Sequence, residues 1–276
     1  IGLFLYRATW VPVAGAVMTV TLIYLGQGAV AFVAEQRQRR EIKNAFSMYV
    51  SPALVDEVIA HPERLKLGGE RRHMTILFSD LAGFTTISEQ LDPEKVSGIV
   101  NRHLSEMTDT ILGHSGTVEK FLGDGIMAMW GAPVLDEKQH DNAVRAAIEM
   151  QKRMGELSAD IERDTGAVPK MRIGVNCGDC IVGNMGGNNR FDYTAVGDAV
   201  NLASRLEGVN KVYNTDILVS AGVVKEVTNG VRFREVDTVR VKGKNVGITV
   251  LTPCADEELI ARSNEALAAY RESRFD

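Results

Sequence analysis

The pattern of apolar and polar positions changes character at residue 35. From Ala8 to Ala34 there are 27 positions without a charged side chain. An apolar helix needs roughly 20 to cross a bilayer. Trp10 lies near one end, where an amphipathic ring suits a membrane interface, and Pro12 is tolerable in a first helical turn. Small residues recur at Ala14, Gly15, Gly26, Gly28 and Ala29, which permits close helix contacts without a clean G-x-x-x-G. The pattern predicts a membrane helix within residues 1–34. A buried soluble helix is the plainer alternative. A cleaved signal peptide fits less well, because the run is too long and helical spacing continues beyond it. The chain opens on Ile1 rather than Met, which reads as a fragment or a processed form.

Glu35-Gln-Arg-Gln-Arg-Arg40-Glu-Ile-Lys43 follows at once. Placed directly after an apolar run, this basic cluster marks the cytoplasmic side of a plasma or inner membrane. Residues 35–69 then read as a helical connector. Ala45, Met48, Tyr49, Leu54, Val55, Val58 and Ile59 supply its apolar positions. Ser51-Pro52 breaks it and starts a new helix, His61-Pro62 ends it, and Gly68-Gly69 makes a hinge.

Beyond residue 70 the chain alternates between strand and helix spacing. Arg72–Ser79 is a buried-type strand, and Pro93–Leu112 has helical spacing. Thr117–Leu122 and Ile126–Trp130 are strands flanking Gly-Asp-Gly, a tight hairpin. Asp141–Glu162 is a long amphipathic helix. Met171–Asn176 and Ile181–Gly183 read as two strands joined by a glycine-rich turn. Asp198–Val209 is a helix that Asp198 can cap. Short strands are predicted at Asp216–Val219, Phe233–Val241 and Gly247–Leu251, and a polar amphipathic helix at Asp256–Tyr270. The fold class is α+β. The order β-α-β-β-α-β in the first half is the ferredoxin-like arrangement. A domain over 70–254 and a C-terminal helix over 255–276 complete the division.

Composition adds limits. An apolar content of 45% and a charged content of 24% are those of a folded protein. A net charge of −5 weighs against nucleic acid as a partner, since that interface needs a basic field. Three cysteines cannot build a disulfide framework. Cys177-Gly-Asp-Cys180 has C-x-x-C spacing but no second pair, so two small strand residues is the favoured reading.

The candidate chemistry lies in two aspartates. Asp80 ends the run Met74-Thr-Ile-Leu-Phe-Ser-Asp80 and precedes Leu81-Ala-Gly-Phe-Thr85; Asp124 sits in Lys120-Phe-Leu-Gly-Asp-Gly-Ile126. Asp beside Gly is most often a turn or cap. Here Gly83 gives the backbone freedom to approach a ligand, and Thr85 or Ser88 can begin a helix whose free N–H groups face a phosphate. Two carboxylates converging beside such a turn would hold divalent metal next to phosphate.

Three segments carry a resemblance. Phe78-Ser-Asp-Leu-Ala-Gly-Phe-Thr85, Lys120-Phe-Leu-Gly-Asp-Gly125 and Thr194-Ala-Val-Gly-Asp-Ala-Val-Asn-Leu-Ala-Ser-Arg205 resemble the signatures of class III nucleotidyl cyclases, across about residues 70–253. The resemblance implies two Mg²⁺ or Mn²⁺ ions per site on Asp80 and Asp124, with the Leu81 carbonyl as a further ligand. It implies substrate contacts from Ala82, Gly83, Phe84 and Thr85. Asn201 would orient the ribose and Arg205 would meet charge growing on the α-phosphate. Spaced i and i+4, these two share one helix face. Lys242 matches a lysine that contacts the terminal phosphates, and Lys244 could substitute for it. Asp179 stands where some members carry a phosphate-binding Arg, so that role is not carried over.

Base choice would rest on Lys120 and Thr194. A Lys ammonium only donates and suits adenine N1, while a Thr hydroxyl can accept from N6; guanine presents the opposite order. Guanylyl members typically put an acidic residue at the position of Lys120. Thr194 replaces the Asp of many adenylyl members and is a variant known in bacterial-type ones. The resemblance therefore implies an adenylyl cyclase making 3′,5′-cyclic AMP from ATP. Its aspartates would come from one subunit and the Lys120, Thr194, Asn201 and Arg205 set from the other, in a head-to-tail homodimer. A guanylyl cyclase and a catalytically silent regulatory domain are the alternatives.

Overall fold

A computed structural model of the chain describes residues 2–4, 10–47, 67–187, 190–240 and 247–273. The chain divides into two compact units, Ile1–Val55 and Asp56–Asp276.

In the first unit, strands β1 (Gly2–Phe4) and β2 (Trp10–Pro12) pair antiparallel ahead of helix α1 (Val13–Ser47). The sequence places Pro12 in the first helical turn. Pro12 instead ends a strand, and the helix begins one residue later, at Val13. Residues Gly15–Arg37 of α1 are long and apolar enough to cross a membrane and are exposed along their length. The helix runs unbroken through the basic cluster to Ser47. The break at Ser51-Pro52 and the end at His61-Pro62 lie outside the described residues.

The second unit is built on one eight-stranded sheet of β3 (Gly68–Ala82), β4 (Thr117–Leu122), β5 (Gly125–Trp130), β6 (Lys170–Gly187), β7 (Arg190–Val196), β8 (Ile217–Ser220), β9 (Phe233–Val239) and β10 (Ile248–Pro253). The order is β4-β5-β3-β6-β8-β10-β9, with β7 also pairing β6. The helices are α2 (Phe84–Gln90), α3 (Pro93–Gly113), α4 (Gln139–Thr165), α5 (Asp198–Tyr213), α6 (Ala221–Glu226) and α7 (Glu257–Ser273). The first four core strands stand in ferredoxin-like order, with β3 and β6 central and antiparallel from Gly68↔Asn184 to Ala82↔Lys170. The hinge proposed at Gly68-Gly69 is thus the start of a strand.

Alternation along the central strands explains their apolar runs. Leu77, Leu81, Ile126, Ala128 and Trp130 face a core with Ile99, Met107 and Ile111 of α3 and Val144, Ala147 and Met150 of α4. Met74, Ile76, Met127 and Met129 face the other side and pack with Val200 and Ala203 of α5. A sheet covered on both faces needs apolar residues at successive positions, not alternate ones.

The predicted turn between Asn176 and Ile181 is absent, and β6 passes straight through Cys177–Cys180. Its glycines serve helix contact rather than a turn. A Cβ on Gly178 would lie 2.9 Å from Cβ of Ala199, and one on Gly174 would lie 2.3 Å from the Glu207 amide nitrogen. Helix α5 is seated in that groove and tied by Asn176 Nδ2 donating to the Ala199 carbonyl at 2.9 Å and Asn210 Nδ2 to the Ile173 carbonyl at 2.9 Å. Asp198 does not cap α5. Gly197 holds that place, and Asp198 is the acid of the first turn. Burial pushes the Cys177 and Cys180 thiols up to about 11, as befits inert packing residues.

Candidate active site

Asp80 emerges near the end of β3 on the face covered by α5, directly opposite Arg172 of β6. Asp124 occupies the two-residue turn Gly123-Asp124 of the β4–β5 hairpin, closed by the pair Leu122↔Gly125, with Gly123 at φ 70°. That hairpin brings the second carboxylate to the first. A Cβ on Gly125 would lie 3.3 Å from Asp80 Oδ1 and 2.7 Å from the Ser79 carbonyl oxygen.

The electrostatics report the same convergence. The Asp80 carboxyl is held above the ordinary carboxylate value, first by burial and second by the charge of Asp124, against the opposing pull of Arg172. Arg172 Nη2 lies 3.5 Å from Asp80 Oδ2, and its Nε lies 3.0 Å from Glu207 Oε1 of α5. Glu207 is also raised, by burial before any charge. One guanidinium thus stands between two carboxylates, those of Asp80 and Glu207. Sequence reading passes over Arg172 and Glu207. Arg172 has one local signal, a charge inside the apolar run Met171-Arg-Ile-Gly-Val175; its meeting with Glu207 is long-range.

The loop after Asp80 supports α2 with Gly83 in the left-handed conformation at φ 71°, ψ 19°; Thr86 and Ile87 N–H groups donate to its carbonyl at 3.1 and 3.4 Å. The helix begins at Phe84, not at Thr85 or Ser88, and Ser88 Oγ donates to the Thr85 carbonyl. Leu81 and Phe84 bury their side chains in the core, so only their backbones can meet a ligand. Ala82 pairs with Lys170, and Thr85 is exposed.

Lys120 lies opposite Met127, on the sheet face that α5 covers. Thr194 stands on β7 opposite Gly183, half-buried. Helix α5 turns Ala203, Leu206 and Asn210 inward, while Asn201 is exposed and Arg205 half-exposed on its outer side. One chain therefore gathers Asp80 and Asp124 into a cluster and presents Asn201 and Arg205 outward from a neighbouring helix. Asp179 bonds Arg71 and His73 at 2.8 and 3.1 Å. Lys242 and Lys244 lie outside the described residues.

Sheet order, the two helices on one face and α5 on the other define the α+β core of a cyclase catalytic domain. Sequence comparison gives the family. The model of the adenylate and guanylate cyclase catalytic domain matches residues 69–252, and the chain belongs to that family. It is similar to adenylate cyclase 1 of Rhizobium meliloti (strain 1021), 36% identical over 209 residues that cover 74% of this chain and 31% of that protein. The adenylyl cyclase CyaB from P. aeruginosa superposes with a TM-score of 0.64 at 32% identity, covering 69% of this chain and 98% of that one. The guanylyl cyclase Cya2 superposes at 0.62 with 35% identity, covering 69% and 97%. The chain spans about a third of the length of the first of these relatives.

Proposed function

We propose that this chain is the catalytic part of a membrane-anchored adenylyl cyclase that converts ATP to 3′,5′-cyclic AMP and pyrophosphate for signal transduction. The observation that carries the reading is the convergence of Asp80 and Asp124 at the end of the central strand pair. Two half-buried carboxylates close enough that the charge of Asp124 adds to burial in raising the proton affinity of Asp80 fit hard divalent cations, Mg²⁺ or Mn²⁺, and the Leu81 carbonyl is adjacent in the chain. Bound there, two such ions would supply Lewis acidity at the triphosphate and acidify the ribose 3′-hydroxyl.

The chain's own groups do the rest. Asp80 and Asp124 would hold the cations, and through them the phosphate end. Arg172 anchors Asp80 from the neighbouring strand. Asn201 orients the ribose, and Arg205, permanently charged, meets the charge that grows at the α-phosphorus during in-line displacement. Lys120 donates to adenine N1 and Thr194 accepts from N6. The outward aim of Asn201 and Arg205 supports a homodimer in which each site takes its aspartates from one copy and its Lys120, Thr194, Asn201 and Arg205 from the other. The exposed apolar length of α1, followed by Arg37, Arg39 and Arg40, supports a single crossing with the catalytic unit in the cytoplasm.

Equal ATP and GTP offered to the purified protein with Mg²⁺ or Mn²⁺ tests this. Cyclic AMP should dominate, and Lys120→Glu should depress ATP turnover. Cyclic GMP in excess would overturn the base assignment, and absence of both products from a folded dimer would favour a silent domain.

A further inference from the structure

The hairpin that carries Lys120 contains an irregularity. Val118 opposes Ala128 and Lys120 opposes Met127, so Glu119 is an extra residue, a β-bulge. In a regular strand, successive side chains leave by opposite faces. A bulge breaks that alternation and re-aims a side chain. The result here is direct contact between neighbours, with Glu119 Oε1 3.1 Å from Lys120 Nζ. The Glu119 side chain is 1% exposed and that of Lys120 is 42% exposed. The second carboxylate oxygen, Oε2, is buried and has no hydrogen-bond partner among the described residues. A carboxylate buried with one oxygen unsatisfied is costly.

We propose that Glu119 is the positioning residue for Lys120 and thereby sets the preference of this site for adenine over guanine. The proposal rests on the reading of Lys120 as the base-selecting group. Glu119 pairs with the ammonium on one side and leaves its other side free to donate. It confines a stem with four rotatable bonds to one direction and so aims a donor-only ammonium. Such a group complements adenine N1, an acceptor, and opposes the N1–H of guanine. Burial withdraws the carboxylate itself from guanine's donors, so the same bulge supplies the lysine and hides the acid.

The test measures kcat/KM for ATP and GTP in Glu119→Gln and Glu119→Asp, each alone and combined with Lys120→Ala. Glu119→Gln should lower the ATP-to-GTP ratio by about three- to fivefold, the range of a partly exposed ion pair, mainly through a higher KM for ATP. Glu119→Asp should recover part of the ratio. With Lys120→Ala already present, Glu119→Gln should change nothing further, because Glu119 acts through that lysine. An unchanged ratio in Glu119→Gln beside a collapsed ratio in Lys120→Ala would overturn the positioning role alone. A ratio that rises because GTP turnover is lost would mean that Glu119 reads guanine itself, which also overturns it. An unchanged ratio in Lys120→Ala would remove the base-selection reading beneath it. Thermal melts establish folding, and Glu119→Asp carries the comparison if Glu119→Gln unfolds.

Discussion

Replacing Gly125 by alanine places one methyl group in the gap between the two aspartates. Its Cβ would stand 2.7 Å from the Ser79 carbonyl oxygen and 3.3 Å from Asp80 Oδ1, where ordinary contact begins at 3.4 Å. The obstacle on one side is backbone, so no rotamer change relieves it. Either β5 draws back from β3 or the end of β3 bends, by about 0.7 Å; β3 carries Asp80, and β5 starts directly after Asp124. Overpacking of this kind costs about 1–3 kcal/mol. For a domain of this size each kcal/mol lowers the melting temperature by roughly 2–4 °C. The larger effect falls on geometry, because a displacement near 1 Å at a reacting centre can cost about 10²-fold in rate. Gly125→Ala should therefore remain folded while losing about a hundredfold in ATP turnover and needing more Mn²⁺ for half-maximal activity. Gly98→Ala is the control. That glycine is exposed on α3 with nothing within 4 Å of a Cβ, so alanine should stabilise the helix by about 0.5–1 kcal/mol and leave turnover alone. Full activity and an unchanged metal requirement in Gly125→Ala would refute the carboxylate geometry.

Three further outcomes are expected. His103 is fully buried, burial lowers its pKa to about 4, and the backbone of Asp124 offsets this only in part. As pH falls below the ordinary value of about 6.5 the unfolded chain takes up this proton first, so stability is complete above that pH and drains away toward pH 4, by roughly 3 kcal/mol; His103→Phe should flatten that part of a urea-denaturation profile, and an unchanged profile would contradict the buried neutral imidazole. Gly174→Ala drives a Cβ to 2.3 Å from the Glu207 nitrogen and 2.4 Å from the Ala203 carbonyl oxygen, so α5 must lift; a loss of about 3 kcal/mol should appear in thermal melts, with activity falling because α5 carries Asn201 and Arg205. Mixing Asp80→Ala chains with Asn201→Ala chains should restore turnover through one intact site per dimer, and no recovery from folded partners would mean that each chain builds its site alone.

Local pattern carried much of this architecture. The run Met74–Ser79 reads as buried strand because both sheet faces are covered, and the Gly123-Asp124 turn follows from its flanking strands. What escaped was set by contacts distant in sequence. Gly178 reads as a turn residue until α5 is known to press against it. Strand β7 escaped because Arg190–Val196 mixes charged, aromatic and small residues, and its pairing partner is the extended end of β6. Arg172 and Glu207 came together only when β3, β6 and α5 did. At Lys120 the residue type was legible but its tether was not, since no spacing rule foretells that Glu119 is an extra residue in its ladder.

The sheet also distributes protection unevenly. Asp80 belongs to β3, third in the order and enclosed by strands on both sides, whereas Lys120 belongs to β4, a strand at the edge of the order. Amide exchange in native proteins is slowest in such enclosed strands and faster where a ladder ends. On the roles proposed above, fluctuations that fray β4 would loosen the hold of Lys120 on the base while Asp80 of β3 keeps its place. Asp80 is thus built into an enclosed part of the sheet, and Lys120, with Asp124 four residues further along the same hairpin, into a more yielding one.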